Sequence, residues 1–271
     1  MPVRRYDGIA KAPAGAFFLL CVLLLDISAA HACTVDHVDD VVQVRQVFDG
    51  DTILLVDGRK VRMLGINTPE IDHENGDDEP LARKARQSLQ RILDGAARVG
   101  LRYGKRRHDH YGRVLAYVII DGQRDVQQML LEQGLAMAIA ISPDLWNQDC
   151  YQDAENQARH QQIGIWGQDY YRPLDVDHGR PQRGGFRLLH GSIRHVGTSA
   201  DFVWFDLDYG VSLRLAKVNR GYFSDRNWND WLGRRVEARG WLYEIRHRQG
   251  SASWQMNIYH PQNLHPIEVS G

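Results

Sequence analysis

Two Asp–Gly pairs, at 49–50 and 57–58, interrupt a stretch rich in Val, Ile and Leu between Val41 and Ile66. They limit the possible folds more than any other feature. Asp–Gly favours a tight turn; apolar and polar residues alternate across the two runs joined at Asp57-Gly58, and Val41 to Phe48, Thr52 to Val56 and Arg59 to Ile66, rich in Val, Ile and Leu, read as three strands. Three strands joined by turns this short pair antiparallel. The polar residues at their ends, Asp51, Arg62 and Asn67 to Glu70, are thereby gathered at the mouth of one hairpin.

The rest of the chain extends this beginning. Leu81, Ala85, Leu89, Ile92 and Leu93 follow Pro80 at three- and four-residue spacing and stop at Asp94-Gly95, which predicts an amphipathic helix. Ala97 to Tyr103 and Arg113 to Ile120 read as two more strands around the polar loop 104–112, with a short helix over Val126 to Gln133 and another over Asp149 to Gln162. The class is mainly β with α, and the element content is that of a closed five-stranded barrel of the oligonucleotide/oligosaccharide-binding (OB) type with three helices. Residues 172–185 hold two prolines and three glycines and read as a linker. Beyond it, five short strands (Phe186 to Val196, Phe202 to Leu207, Val211 to Val218, Arg235 to Ile245 and Trp254 to Tyr259) predict a second small all-β domain, OB-like, over 186–271.

The first 32 residues read as an export signal rather than as part of the fold. Arg4, Arg5 and Lys11 precede the apolar run Ala16 to Leu25, and Ala30-His31-Ala32 gives the small-x-small pattern of a cleavage site, so the expected cut follows Ala32. The run is well short of the roughly 20 residues that cross a bilayer. A lipoprotein reading rests on Cys33, but Ala30 stands where such signals usually carry Leu. The mature chain is therefore expected in the periplasm or outside the cell, with no membrane association. Cys33 and Cys150 either close one disulfide there or remain two separate thiols.

Charge divides unevenly. Residues 33–182 carry 18 basic and 24 acidic side chains, net −6, whereas 183–271 carry 12 and 8, net +4. A polyanion is drawn to the second segment more than to the first. There Trp204, Trp241, Tyr243 and Trp254 with Arg194, Arg214, Arg246 and Arg248 offer either a face for single-stranded nucleic acid or, for the aromatics, ordinary core packing.

Singly, the polar residues near the hairpin have ordinary explanations as turn acids or a cross-sheet ion pair. Together they suit phosphodiester chemistry: oxygens for a hard cation, a guanidinium fork for a phosphate and a spare carboxylate for a water proton. In order along the chain stand Asp49-Gly50-Asp51-Thr52, Arg62 to Glu70, Asp109-His110-Tyr111-Gly112-Arg113, Gln133-Gly134-Leu135-Ala136 and Gly164-Ile165-Trp166. Over about residues 41–167 this set resembles the staphylococcal nuclease (thermonuclease) family.

The resemblance implies roles for particular residues. Asp51, Asn67 and Thr68, the last through its carbonyl, would bind Ca2+. Glu70 would orient or deprotonate the attacking water, Arg62 and Arg113 would grip the scissile phosphate, and Tyr111 would stand near the terminal phosphate. Two positions depart from the pattern. Asn67 replaces a usual aspartate, which removes one negative charge from the cation site, and Met137 to Ser142 lacks the tyrosines that often line the nucleotide pocket. The expectation is an exported, monomeric, calcium-dependent nuclease acting on DNA and/or RNA with low sequence specificity; the alternative is a catalytically weakened nuclease-like domain that binds nucleic acid.

Overall fold

The computed structural model describes Met1 and residues 33–72, 76–224, 227–246 and 252–267. The expected signal segment with its cut after Ala32, the side chain of Arg246 and all of Arg248 lie outside the described residues. The elements that follow belong to one compact unit, His31–Gly271. Among the described residues no helix is long and apolar enough to cross a membrane.

Among the described residues nine strands precede residue 140: β1 (Asp40–Val42), β2 (Val44–Val47), β3 (Thr52–Leu55), β4 (Lys60–Met63), β5 (Ile66–Asn67), β6 (Val99–His108), β7 (Val114–Ile120), β8 (Arg124–Asp125) and β9 (Met137–Ala138). The first sheet runs β1-β6-β7-β4-β3-β2, with β8 on β7. The single strand expected over 41–48 is divided at Gln43, so its first half pairs with β6 and its second with β3. The sheet therefore curls round toward its own start. The loop expected at 104–112 is shorter than the sequence suggests, because β6 continues to His108 past a register shift. β5 and β9 pair as a separate two-stranded sheet.

Three helices close this body. α1 (Ala82–Asp94) buries Ala82, Ala85, Leu89 and Leu93 in keeping with its three- and four-residue spacing, and α2 (Val126–Glu132) is capped by Asp125, whose side chain accepts from the Gln127 and Gln128 amides. α3 (Gln148–His160) is tied to the lead-in by a disulfide between Cys33 and Cys150, which closes a separation of 117 residues. A bridge over so long a stretch restricts the unfolded chain by about 4–5 kcal/mol in the chain-entropy picture. One bonded pair thus replaces the open choice between disulfide and free thiols.

The stretch read as a linker, 172–185, is built into the second sheet. β10 (Leu174–Asp175) pairs in parallel with β11 (Gly185–Ser192), and Val176 is fully buried in the second core. The pattern hides this because one buried valine among prolines, glycines and charges gives no period. The sheet continues through β12 (His195–Thr198), β13 (Phe202–Asp206), β14 (Val211–Ala216), β15 (Arg235–Arg246), β16 (Ala252–Ile258) and β17 (Leu264–Pro266), in the order β10-β11-β15-β16-β14-β13-β12 with β17 on β15.

Of the aromatics left open between a binding face and core packing, Trp254 is buried with Trp228 and Trp231 in this core, whereas Trp241 and Tyr243 are exposed. Alternation along β15 accounts for the exposed pair, and Trp254 lies on the core face of β16. Val236, Ala238 and Leu242 enter the core, while Glu237, Arg239 and Trp241 take the other face.

That other face meets the first body. Fully buried Arg239 pairs with the equally buried Glu155 of α3 at 2.6 Å and donates to the Ala138 carbonyl at 3.3 Å. Glu237 receives both terminal nitrogens of Arg159, at 2.9 and 2.7 Å, and one from Arg239 at 3.2 Å. Beside these charges Met137, Ile139, Ile165 and Tyr171 pack with Phe186 and Leu188 as one apolar cluster.

Candidate functional site

The hairpin ends do converge, and their sequence explains how. Gly50 has no side chain where a Cβ would stand 2.7 Å from Thr68 Oγ1, so the turn after β2 can lie directly on the segment after β5. Asp51, 2% exposed, then accepts the Thr68 amide at 3.0 Å and the Thr52 hydroxyl at 3.2 Å. Arg62 reaches in from β4: its Nη1 lies 2.6 Å from Asp51 Oδ2, and its Nη2 donates to Asn67 Oδ1 at 3.0 Å. Because a guanidinium cannot accept, the Asn67 oxygen must face Arg62. Its Nδ2 consequently donates to the Thr68 carbonyl at 3.3 Å.

Arg113 stands just before β7, which pairs in parallel with β4, so both arginines come from neighbouring strands. Asp109 accepts the Arg113 Nε at 2.7 Å and its backbone amide at 2.9 Å. No described residue bonds the two terminal nitrogens, which remain as a fork. Tyr111 is 74% exposed, stacked on His110 at 3.8 Å, with the Arg113 guanidinium 5.5 Å from its ring. Arg62, Glu70, Arg113 and Tyr111 line one cleft of about 720 Å³. Asp51, Asn67 and Thr68 are buried below its Arg62 wall.

Electrostatics separate this cluster from a simple ion pair. Burial pushes the Asp51 carboxyl up to about 6; Arg62 opposes the rise and Asp49 adds to it. Glu70 is exposed as a residue, yet withdrawal of water from its carboxyl, reinforced by Asp51 and Asp49, pushes it up to about 7 against the opposing charge of Arg62. Negative charge here exceeds what one guanidinium offsets.

Four contributors to the site were not placed in it from the sequence. Asp109 holds Arg113; in the sequence it opens the Asp109-His110-Tyr111-Gly112-Arg113 run but received no role of its own. Glu79 accepts the Glu70 amide at 3.1 Å while its other oxygen takes the Tyr170 hydroxyl at 2.9 Å, a contact across 91 residues that no local pattern announces. Trp241 of β15 and Tyr259, just after β16, also line the cleft.

Residues 60–168 match the model of the staphylococcal nuclease homologue family. Over 127 residues the chain is 35% identical to a thermonuclease of Staphylococcus hyicus, covering 46% of this chain and 74% of that protein. The chain belongs to the staphylococcal nuclease family. A further member, endonuclease YncB of Bacillus subtilis (strain 168), is 34% identical over 135 residues, 48% of this chain and 63% of that protein. The family match ends before β10, so the second sheet lies beyond it.

The family resemblance implies calcium, and the donor chemistry accommodates it. Carboxylate, amide and carbonyl oxygens suit a hard cation, and the raised Asp51 and Glu70 carboxyls are what a divalent charge would relieve. Among the described residues no three His, Cys, Asp or Glu side chains form a group that could hold a metal ion, and the neutral oxygens that stand beside Asp51 are those of Asn67 and Thr68. Both are already engaged, by Arg62 and by the Asn67 amide, respectively.

Proposed function

We propose that this chain is an exported, calcium-dependent nuclease of low sequence specificity, hydrolysing phosphodiester bonds of DNA and/or RNA on an OB-type barrel. The observation that carries this reading is the single cleft lined by Arg62, Arg113 and Glu70 with Asp51 beneath it. Arg113 presents a preorganised fork to two phosphate oxygens, and Arg62, charged and buried, stabilises the negative charge that builds on them during attack. A carboxyl near neutrality, as at Glu70, is matched to taking a proton from water or orienting it. Asp51, Asn67 and Thr68 would hold the calcium, which when bound adds fixed positive charge beside the phosphate. The Cys33–Cys150 disulfide supports maturation in an oxidising compartment.

One observation favours a second reading. Asn67 spends its amide nitrogen on the Thr68 carbonyl and brings no charge, which lowers cation affinity and suits a nucleic-acid-binding module that no longer cuts. Incubating the purified mature protein with single-stranded DNA, duplex DNA and RNA, in calcium or in chelator, separates the two. The nuclease reading expects cleavage in calcium alone, and a Glu70→Ala variant that still binds while turnover falls about 10²–10⁴-fold. Binding without calcium-dependent cleavage at neutral and alkaline pH would overturn it.

A further inference from the structure

The lining of the cleft beyond Arg62 and Arg113 has an unexpected composition. Ile139 and Ile141, in the segment that lacks the family's tyrosines, line it with apolar but non-aromatic surface. Trp241, from a sheet beyond the family match, lines the same cleft. Trp241 occupies the face of β15 that carries Glu237 and Arg239, so the same contacts that anchor the second sheet, Arg239 to Glu155 and Arg159 to Glu237, set where this indole lies. It is further held edge-on by Phe186, with ring centroids 5.1 Å apart and an interplanar angle of 80°. Phe186 itself is buried in the cluster shared by the two bodies. Trp241 is nevertheless 40% exposed.

A large aromatic side chain packed T-shaped against Phe186, 40% exposed, and lining the same cleft as the phosphate-directed arginines has the attributes of a stacking platform. We propose that Trp241 takes the base of a nucleotide next to the scissile phosphate, and that the second sheet thereby completes the substrate site. The inference rests on the nuclease reading for the meaning of the cleft. Its consequence for substrate class is direct. A base inside a duplex has both faces covered by its neighbours and its pairing edge engaged, so only an unpaired nucleotide can lay its face on the indole. Trp241 therefore adds to the binding of single strands and not of duplexes. The track continues on the same sheet: Arg214 bonds Asn257 at 2.9 Å and lies 4.6 Å from the Phe202 ring, offering cation and aromatic surface to the following nucleotides.

The test uses the full mature chain and two ligands of equal length, oligothymidylate and an oligomer of abasic tetrahydrofuran units with the same phosphates. Trp241→Leu keeps apolar bulk against Phe186 and removes the ring; Trp241→Phe restores an aromatic face. Affinity is read by fluorescence anisotropy in chelator, and KM and kcat are read in calcium. Trp241→Leu is expected to weaken oligothymidylate binding and raise KM about tenfold, to leave kcat within about threefold and abasic binding within about twofold, and Trp241→Phe to recover most of the loss. Equal weakening of both ligands, or no weakening of either, overturns the proposal. A base-dependent loss of affinity in a protein that never cleaves sustains the platform and overturns only the nuclease reading; cleavage unaffected by Trp241→Leu does the reverse.

Discussion

The molecule buries arginine between acids in two places, with opposite results. At the junction of the sheets, Arg239 and Arg159 are matched to Glu155 and Glu237, and His190 adds a 2.9 Å contact. Burial disfavours the Glu237 charge, but hydrogen bonds from His190 and Arg159 and the two guanidinium charges outweigh it and hold this carboxyl far below the usual range. In the cleft, Arg62 alone faces Asp51, with Asp49 and Glu70 close enough to raise their neighbours. There burial and repulsion win, and carboxyls rise toward neutrality. The balanced network ties the two sheets together, whereas the unbalanced one holds its carboxyls near neutrality, as the proposed cation site requires.

The contrast is most severely strained by removing each arginine in turn. Arg239→Ala leaves Glu155 fully buried without its partner and is expected to cost about 3–5 kcal/mol, a fall of roughly 6–20 °C in melting temperature at pH 5 or above. Arg62→Ala at pH 5, where Asp51 already carries its proton, is expected to cost only about 1–2 kcal/mol. Thermal melts of the two variants that gave equal losses at pH 5 would remove the distinction between the clusters.

A smaller effect sharpens it. The Asp51 and Glu70 carboxyls, ordinarily at 3.8 and 4.5, lie at about 6 and about 7 in the fold. Folding thus favours their protonated forms, and the stability they contribute is full at acid pH and lost as pH rises through 7. Glu237 has the opposite sign, since its depressed carboxyl contributes stability that is lost only in acid. Calcium, which binds ionised carboxylates, should therefore raise the melting temperature more at pH 8 than at pH 5, by about 3–6 °C at ten times its dissociation constant. An equal shift at both pH values would detach the cation from these acids.

Much of the first body was legible because its elements announce themselves locally. The turns at Asp49-Gly50 and Asp57-Gly58, the spacing from Leu81 to Leu93 and the gathering of Asp51, Arg62 and Asn67 all follow from neighbours in sequence. What escaped depends on partners far along the chain. Val176 makes 172–185 part of a sheet only because β11 lies beside it, and Glu155 looks like an ordinary helix-surface acid until Arg239, 84 residues later, reaches it. Trp241 and Trp254 are alike in sequence; strand parity puts one at the cleft and the other in the core. Asn67 could be read as a ligand with less charge, but its turn toward Arg62 depended on where β4 places that guanidinium.

The claim on which the rest depends is that the acid surplus under Arg62 is the cation site for strand cleavage. Calcium titration of single-stranded DNA cleavage by the wild type and by Asp51→Asn addresses it directly. The account predicts saturable activation of the wild type and, for the variant, either lost cleavage or a midpoint at least tenfold higher. Cleavage that persists in chelator, or superimposable titrations of the two proteins, would contradict it.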